Sequence, residues 1–327
     1  MMDENTGEKR SDGKTTEGIM AEFELECRTR ELVSLCADIC GRGGRIAITG
    51  HDSPDADSII SAVMMRKLLG KFNIDCRIKF GTEPDRVTVR DMSELELLDG
   101  ISFDGFADED LLLLVDHHKS FYDNRIIASV DHHTTLPEPE GEVAIVVGAS
   151  SCGRVIFDMA DACGVSDGEL ERLAIYSVYL DTQSCRSPKY RKEDTEWLER
   201  GIEKYGIDRK RIERMGFCLC DPCEDIEILA MYGYKKYSFG ARPSFSTCVQ
   251  IDVDDSRWNE RIEKITSYLC GKLADEGGAI WAFVVNMPAL SRSDIYFIGR
   301  GGEVERVELD RLASRSRDVI PIVSIAE

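Results

Sequence analysis

The chain has 327 residues, enough for two domains with cores of their own. A formal net charge of -20 excludes a general nucleic-acid binder, which needs a basic face, but leaves room for an anionic substrate where bound cations dominate the local field. Twelve scattered cysteines, a polar start with no apolar signal segment and no stretch long enough to cross a bilayer point to reduced thiols in a cytoplasm and to no membrane partner.

Residues 1–22 are rich in Gly, Thr and charge and read as a disordered tail. A helical pattern runs from Phe23 to about Cys40, with Phe23, Leu32, Leu35 and Ile39 as core positions, and Gly41-Arg42-Gly43-Gly44 ends it. Ile46-Ala47-Ile48 is a strand that stops at Gly50, and an apolar helix follows as far as Gly70. Cys76 to Phe80 reads as a short strand, and residues 91–110 as loop and short-helix material. Leu111 to Val115, Ile126 to Val130 and Val143 to Val147 have the continuous apolar composition of strands buried on both faces. Helices are expected over Ser151–Cys163, over about Asp167–Leu180 after a capping-box spacing, and over Lys192–Tyr205 before Gly206. This alternation predicts an α/β fold with a doubly wound parallel sheet over residues 23–210.

Residues 211–225 change character and read as a linker. Residues 226–327 then read as a second, smaller α/β domain with a mixed sheet. Its expected elements are strands at Ser244–Val253, Ala279–Met287 and Asp294–Ile298 and an amphipathic helix at Arg257–Leu273, with Val319–Ile325 closing the chain.

The chain has five histidines, His51, His117, His118, His132 and His133, and each follows an expected strand. One such histidine means little. Five gathered at strand ends, with Asp55, Asp57, Asp116 and Asp131 beside them, mark the carboxyl edge of an open α/β sheet, where ligands bind. Imidazoles and carboxylates without thiolates select Mn, Mg, Co or Fe over a structural zinc site. Such a surplus of carboxylates is best satisfied by two ions sharing one Asp. Two-metal sites serve in-line displacement at phosphorus, with a water of lowered pKa as nucleophile.

His51-x-x-x-Asp55-x-Asp57-Ser58, Asp116, Asp131-His132-His133 and Asp181-Thr182, in that order, resemble the DHH phosphoesterase superfamily. Within it, GHDSPDADSIISA, LLLLVDHHKS, ASVDHHTT, GASSCG, YLDTQSCRSP and the closing Ser314-Arg315-Ser316-Arg317 are similar to the family II, manganese-dependent inorganic pyrophosphatases. The resemblance implies hydrolysis of pyrophosphate to two phosphates at a centre holding two divalent ions, Mn(2+) first and Mg or Co as alternates. It implies that His51 and Asp55 hold one ion, that Asp57, His132 and Asp181 hold the other, and that Asp116 bridges them. His133 would assist at the substrate. Arg315 would bind its phosphate, with Arg317 as a weaker candidate. The resemblance also implies a homodimer through an edge strand of the first domain. The alternatives are a DHH exopolyphosphatase or phosphodiesterase acting on short polyphosphate or small nucleotides, and a non-catalytic metal-binding regulatory relative.

This sequence departs from the family pattern in three places. Ser316 stands where the family has a lysine, no lysine lies near Met215-Gly216-Phe217, and His118 replaces an asparagine. Gly299-Arg300-Gly301-Gly302 reads as a hairpin turn, or else as a phosphate loop anchored by Arg300. Cys218, Cys220 and Cys223 resemble half of a zinc or iron–sulfur site but lack a nearby fourth ligand, and they read as buried thiols at a domain junction. Lys235-Lys236 and Arg209-Lys210-Arg211 read as solvated faces. Arg186, Lys189 and Lys119 are second-choice phosphate contacts near the proposed ligands.

Overall fold

The computed structural model describes residues 16–118, 122–134, 138–215, 225–237, 241–251 and 258–325. Lys119, Cys218, Cys220 and Cys223 lie outside the described residues. The first domain opens with α1 (Thr16–Gly41), which begins inside the stretch expected as tail. Phe23, expected in the core, is 61% exposed, because the buried face of this helix is carried by Leu32 and Cys36.

Then follow β1 (Arg45–Thr49), α2 (Ala56–Gly70), β2 (Arg77–Lys79), α3 (Arg86–Glu94), β3 (Ile101–Ser102), β4 (Asp110–Val115), β5 (Ile126–Asp131) and β6 (Val143–Val146). Helices α4 (Cys152–Ala162), α5 (Gly168–Asp181), α6 (Thr195–Tyr205) and α7 (Arg209–Arg214) complete the domain. The six strands are parallel, in the order β3-β2-β1-β4-β5-β6. The order runs outward in both directions from the β1/β4 pair, as in a doubly wound sheet. Period-2 alternation sends Leu113 and Val115 of β4 into the main core with α2, α4 and α5, while Leu112 and Leu114 pack on the opposite face beside Phe106 and Tyr122. That two-sided burial explains the unbroken leucine run. Ile212 and Met215 pack with α5 and α6, so the first domain's packing continues past the expected boundary at residue 210.

The second domain contains α8 (Ile226–Ala230), β7 (Lys235–Tyr237), β8 (Ser244–Gln250), α9 (Trp258–Asp275), β9 (Ile280–Met287), β10 (Arg292–Gly299), β11 (Val304–Leu309) and α10 (Ile320–Val323). Its sheet is mixed, in the order β11-β10-β9-β8-β7, with β8 and β9 parallel and the other pairs antiparallel. One face packs on α8 and α9 through Phe245, Trp281, Phe283 and Leu269. Val87 of α3 joins this second core, so the two domains meet along α3. Among the described residues no helix is long and apolar enough to cross a membrane.

Candidate metal centre

The strand order reverses between β1 and β4, and the crevice beyond their carboxyl ends is where an open α/β sheet presents a ligand site. The loop after β1 delivers His51 and Asp55, and the first turn of α2 delivers Asp57. Asp116 follows β4, Asp131 ends β5 with His132 and His133 after it, and Asp181 ends α5. Asp55 caps α2, accepting from Ser58 N through Oδ1. Asp57 is held more elaborately. Its carboxylate accepts from the backbone N–H groups of Cys152 and Gly153 at 2.8 and 3.2 Å, from Ser177 Oγ at 2.6 Å and from Ser61 Oγ at 3.2 Å. It therefore sits against the positive N-terminus of α4 as well as inside its own helix.

Two clusters share Asp116. His51 Nε2 lies 3.3 Å from Asp55 Oδ2 and 3.5 Å from Asp116 Oδ2. His132 Nε2 lies 3.4 Å from Asp116 Oδ1, 3.7 Å from Asp181 Oδ2 and 3.8 Å from Asp57 Oδ2. The six side chains expected as ligands thus gather around one carboxylate. Asp116 is only 3% exposed and adopts φ 61°, a left-handed conformation that residues with a Cβ rarely take. Ser58 Oγ donates to its Oδ2 at 2.6 Å.

The histidine rings are oriented for ligation. His51 Nδ1 lies 2.8 Å from Asp52 O and His132 Nδ1 lies 3.1 Å from Ala149 O. A carbonyl only accepts, so each Nδ1 carries a proton and each ring turns its Nε2 toward the carboxylates, where a metal ion could take the place of a proton. His132 Nε2 and Asp181 Oδ2 are buried without a hydrogen-bond partner. A buried ring nitrogen and a carboxylate oxygen left facing one another are what a cation would satisfy, and these residues could hold metal ions.

The electrostatics also call for positive charge. Burial, then the neighbouring Asp116 and Asp181 carboxylates, push the Asp57 carboxyl well above the ordinary range. Burial works against the charge of His132 as well, but Asp116 and Asp181 override it and raise the imidazole to about 10. Asp131 accepts from the backbone N–H of His132 and of His133, with His118 Nδ1 at 2.6 Å and His133 Nδ1 at 2.8 Å. Although burial opposes it, these bonds hold its carboxyl below the usual carboxylate range. Asp131 and His118 therefore form a layer behind the centre that orients His133. His117 spends Nδ1 on Val115 O at 3.0 Å, and burial pushes it down to about 4.

One cation at the centre is not among those expected. Lys235 of β7, read as part of a solvated face, reaches across from the second domain. Its Nζ lies 3.1 Å from His51 Nε2 and 4.0 Å from Asp55 Oδ2, and burial followed by the nearby Arg315 lowers it to about 8. Lys236 next to it is exposed, because neighbours on a strand face opposite ways. Arg315 donates to Gly233 O at 2.6 Å, just before β7. Arg317 is about half exposed and lies 3.8 Å from Asp318. Arg300 is exposed in the β10–β11 turn, and this turn adjoins the β10 end opposite Ser293, whose hydroxyl bonds the segment leading to Arg315. The hairpin-turn reading of that glycine run therefore fits, and Arg300 is not gathered with the others. Arg209 and Arg211 pair with Glu199 and Glu94 on the surface. Lys189 binds Asp181 Oδ1 at 2.7 Å, and Asp181 overrides burial to raise its ammonium. The sequence signal for the Asp57 cradle was the small-residue run before α4, but nothing in the sequence ties Ser177 to a carboxylate 120 positions away.

A buried set of imidazoles and carboxylates that could hold metal ions thus lies at the switch point of a parallel sheet, with Lys235 of the second domain facing it. Residues 45–181, within the first domain, match the family described as DHH family, N-terminal domain. A manganese-dependent inorganic pyrophosphatase from Methanocaldococcus jannaschii is 25% identical over 315 residues, covering 84% of this chain and 96% of that protein. A crystal structure from Methanococcus jannaschii, provisionally assigned as a family II inorganic pyrophosphatase, superposes with a TM-score of 0.69 at 22% identity, covering 85% of this chain and 98% of that one. An exopolyphosphatase-related protein from Bacteroides fragilis has a TM-score of 0.49 at 15% identity over 84% of this chain and 83% of its own.

Proposed function

We propose that this chain hydrolyses inorganic pyrophosphate to two phosphates, using two divalent ions, with manganese as the physiological choice. The observation that carries the reading is the cluster of His51, Asp55 and Asp116 beside that of Asp57, His132 and Asp181, linked where Asp116 Oδ1 lies 3.4 Å from His132 Nε2 and faced by Lys235 from the second domain. His51, Asp55 and Asp116 would hold one ion, and Asp57, His132, Asp181 and Asp116 the other. Imidazole and carboxylate oxygen donors without thiolate suit manganese. Divalent ions bound there supply Lewis acidity, which ionises water near neutral pH and offsets phosphoryl charge.

The chain's own residues do the remaining work. Lys235 and Arg315 bind the phosphate oxygens from the second domain, and that position couples substrate binding to closure of the cleft. His133 is held by Asp131 through Nδ1, which leaves its Nε2 to protonate the departing phosphate. His118 fixes Asp131 in turn, so the proton donor cannot rotate away.

Phosphate release tested on pyrophosphate, tripolyphosphate, polyphosphate and a nucleotide, each with Mn, Mg and Co, should be fastest for pyrophosphate with Mn. Activity on a nucleotide or long polyphosphate with none on pyrophosphate would replace the substrate assigned here. Tight Mn binding with no turnover of any of them would replace the enzyme with a metal-binding regulatory protein.

A further inference from the structure

We propose that Lys189 is a substrate-phosphate contact supplied by the first domain, opposing Lys235 across the centre. The inference rests on the diphosphate reading above. Lys189 lies in the loop that follows α5, and its Nζ donates to Asp181 Oδ1 at 2.7 Å. Asp181 is the only partner of that ammonium among the described residues, so two of its three N–H donors are unspent. The side chain keeps 28% exposure, which leaves a path to an incoming anion. Unspent donors on a charged group this close to the interior are costly until an acceptor completes them.

Asp181 divides its oxygens. Oδ1 takes Lys189, while Oδ2 has no partner and faces His132 Nε2 at 3.7 Å. A cation satisfying Oδ2 and the lysine bonded at Oδ1 therefore do not compete for one atom. Lys235 occupies the corresponding place in the other cluster, by His51 and Asp55. Two divalent ions would cancel the charges of Asp55, Asp57, Asp116 and Asp181. Lys189, Lys235 and Arg315 then remain as surplus positive charge around the crevice, which matches a diphosphate carrying three or four negative charges. The first domain thereby grips one phosphate and the second domain the other.

Three measurements on Lys189→Met and Lys189→Arg test this: Mn affinity by calorimetry, KM and kcat for pyrophosphate at saturating Mn, and the Kd of Mn-loaded protein for non-hydrolysable imidodiphosphate. Lys189→Met should raise KM and the imidodiphosphate Kd by about tenfold or more, as expected for a lost charge-assisted hydrogen bond. Its Mn affinity should stay near the wild-type value, which also reports an intact fold, and Lys189→Arg should recover most of the loss. An unchanged imidodiphosphate Kd overturns the proposal. A fall in Mn affinity that accounts for the whole change in KM also overturns it, because Lys189 would then only orient Asp181. Wild-type turnover of pyrophosphate with an indifferent Lys189→Met removes this inference alone. Wild-type protein that neither cleaves pyrophosphate nor binds imidodiphosphate removes the substrate reading as well.

Discussion

Asp116 is held in a left-handed backbone conformation at φ 61°, and from there its two oxygens reach different histidines, Oδ2 toward His51 and Oδ1 toward His132. Asparagine is nearly isosteric with aspartate and also tolerates that conformation, so Asp116→Asn changes charge and leaves the backbone alone. We expect the variant to keep its far-ultraviolet dichroism and to lose pyrophosphate turnover by about a thousandfold, roughly 4 kcal/mol of barrier. Rates within tenfold of wild type would deny Asp116 the bridging role. The side chains that gather at the centre were legible because His and Asp have few structural uses at the end of a buried strand. Lys235 was not. A lysine in a Lys-Lys pair is by default solvated, and only the docking of the second domain brings its Nζ to His51. Phe23 illustrates the converse: an aromatic near the start of a helical pattern reads as core, yet the packing begins farther along the helix.

At the scale of elements, the N-terminus of α4 is the part that holds Asp57 in place, through the amides of Cys152 and Gly153 and through Ser177 Oγ. A Cβ on Gly153 would lie 2.6 Å from Ser177 Cβ and 3.3 Å from Met64 Sδ. Ser177 sits on the buried face of α5 and cannot yield without moving that helix or giving up Asp57. Gly153→Ala should therefore weaken Mn binding by about 10- to 100-fold, the usual consequence of disturbing what orients a ligand. Overpacking should also cost about 1–3 kcal/mol of stability. Calorimetric Mn titration and urea unfolding read the two effects separately, and a variant with wild-type affinity would mean that the α4 cradle is dispensable. The strands of the first sheet were readable because burial on both faces leaves an unbroken apolar run. Val304 to Leu309 was not read as a strand. β11 is an edge strand whose charged side chains stay exposed, with Arg306 pairing to Asp294 on its neighbour, so it lacks an apolar signature. The helix α10 likewise hides in a β-branched run. Pro321 in its first turn, a favourable helix start, was the available clue.

For the whole molecule, a net charge of -20 and four carboxylates converging at the domain cleft set the same condition: the folded state is favoured by whatever cation it captures. Lys235 supplies part of that charge from the second domain, so filling the centre bears on both domains at once. A ligand that binds the native state and not the unfolded chain stabilises it by an amount set by its concentration relative to Kd, about 2.7 kcal/mol at 100 times Kd. At about 2–4 °C per kcal/mol for domains of this size, manganese at that excess should raise Tm by roughly 5–10 °C over the chelator-treated protein. Asp181→Ala should shrink the increment, because it removes one carboxylate from the cluster of Asp57 and His132. Differential scanning calorimetry with Mn, with Mg and with EDTA checks this. Identical transitions in all three would mean that Lys189, Lys235 and the histidines already balance the carboxylates. A rise with Mn that Asp181→Ala leaves intact would move the ion to the His51, Asp55 and Asp116 cluster.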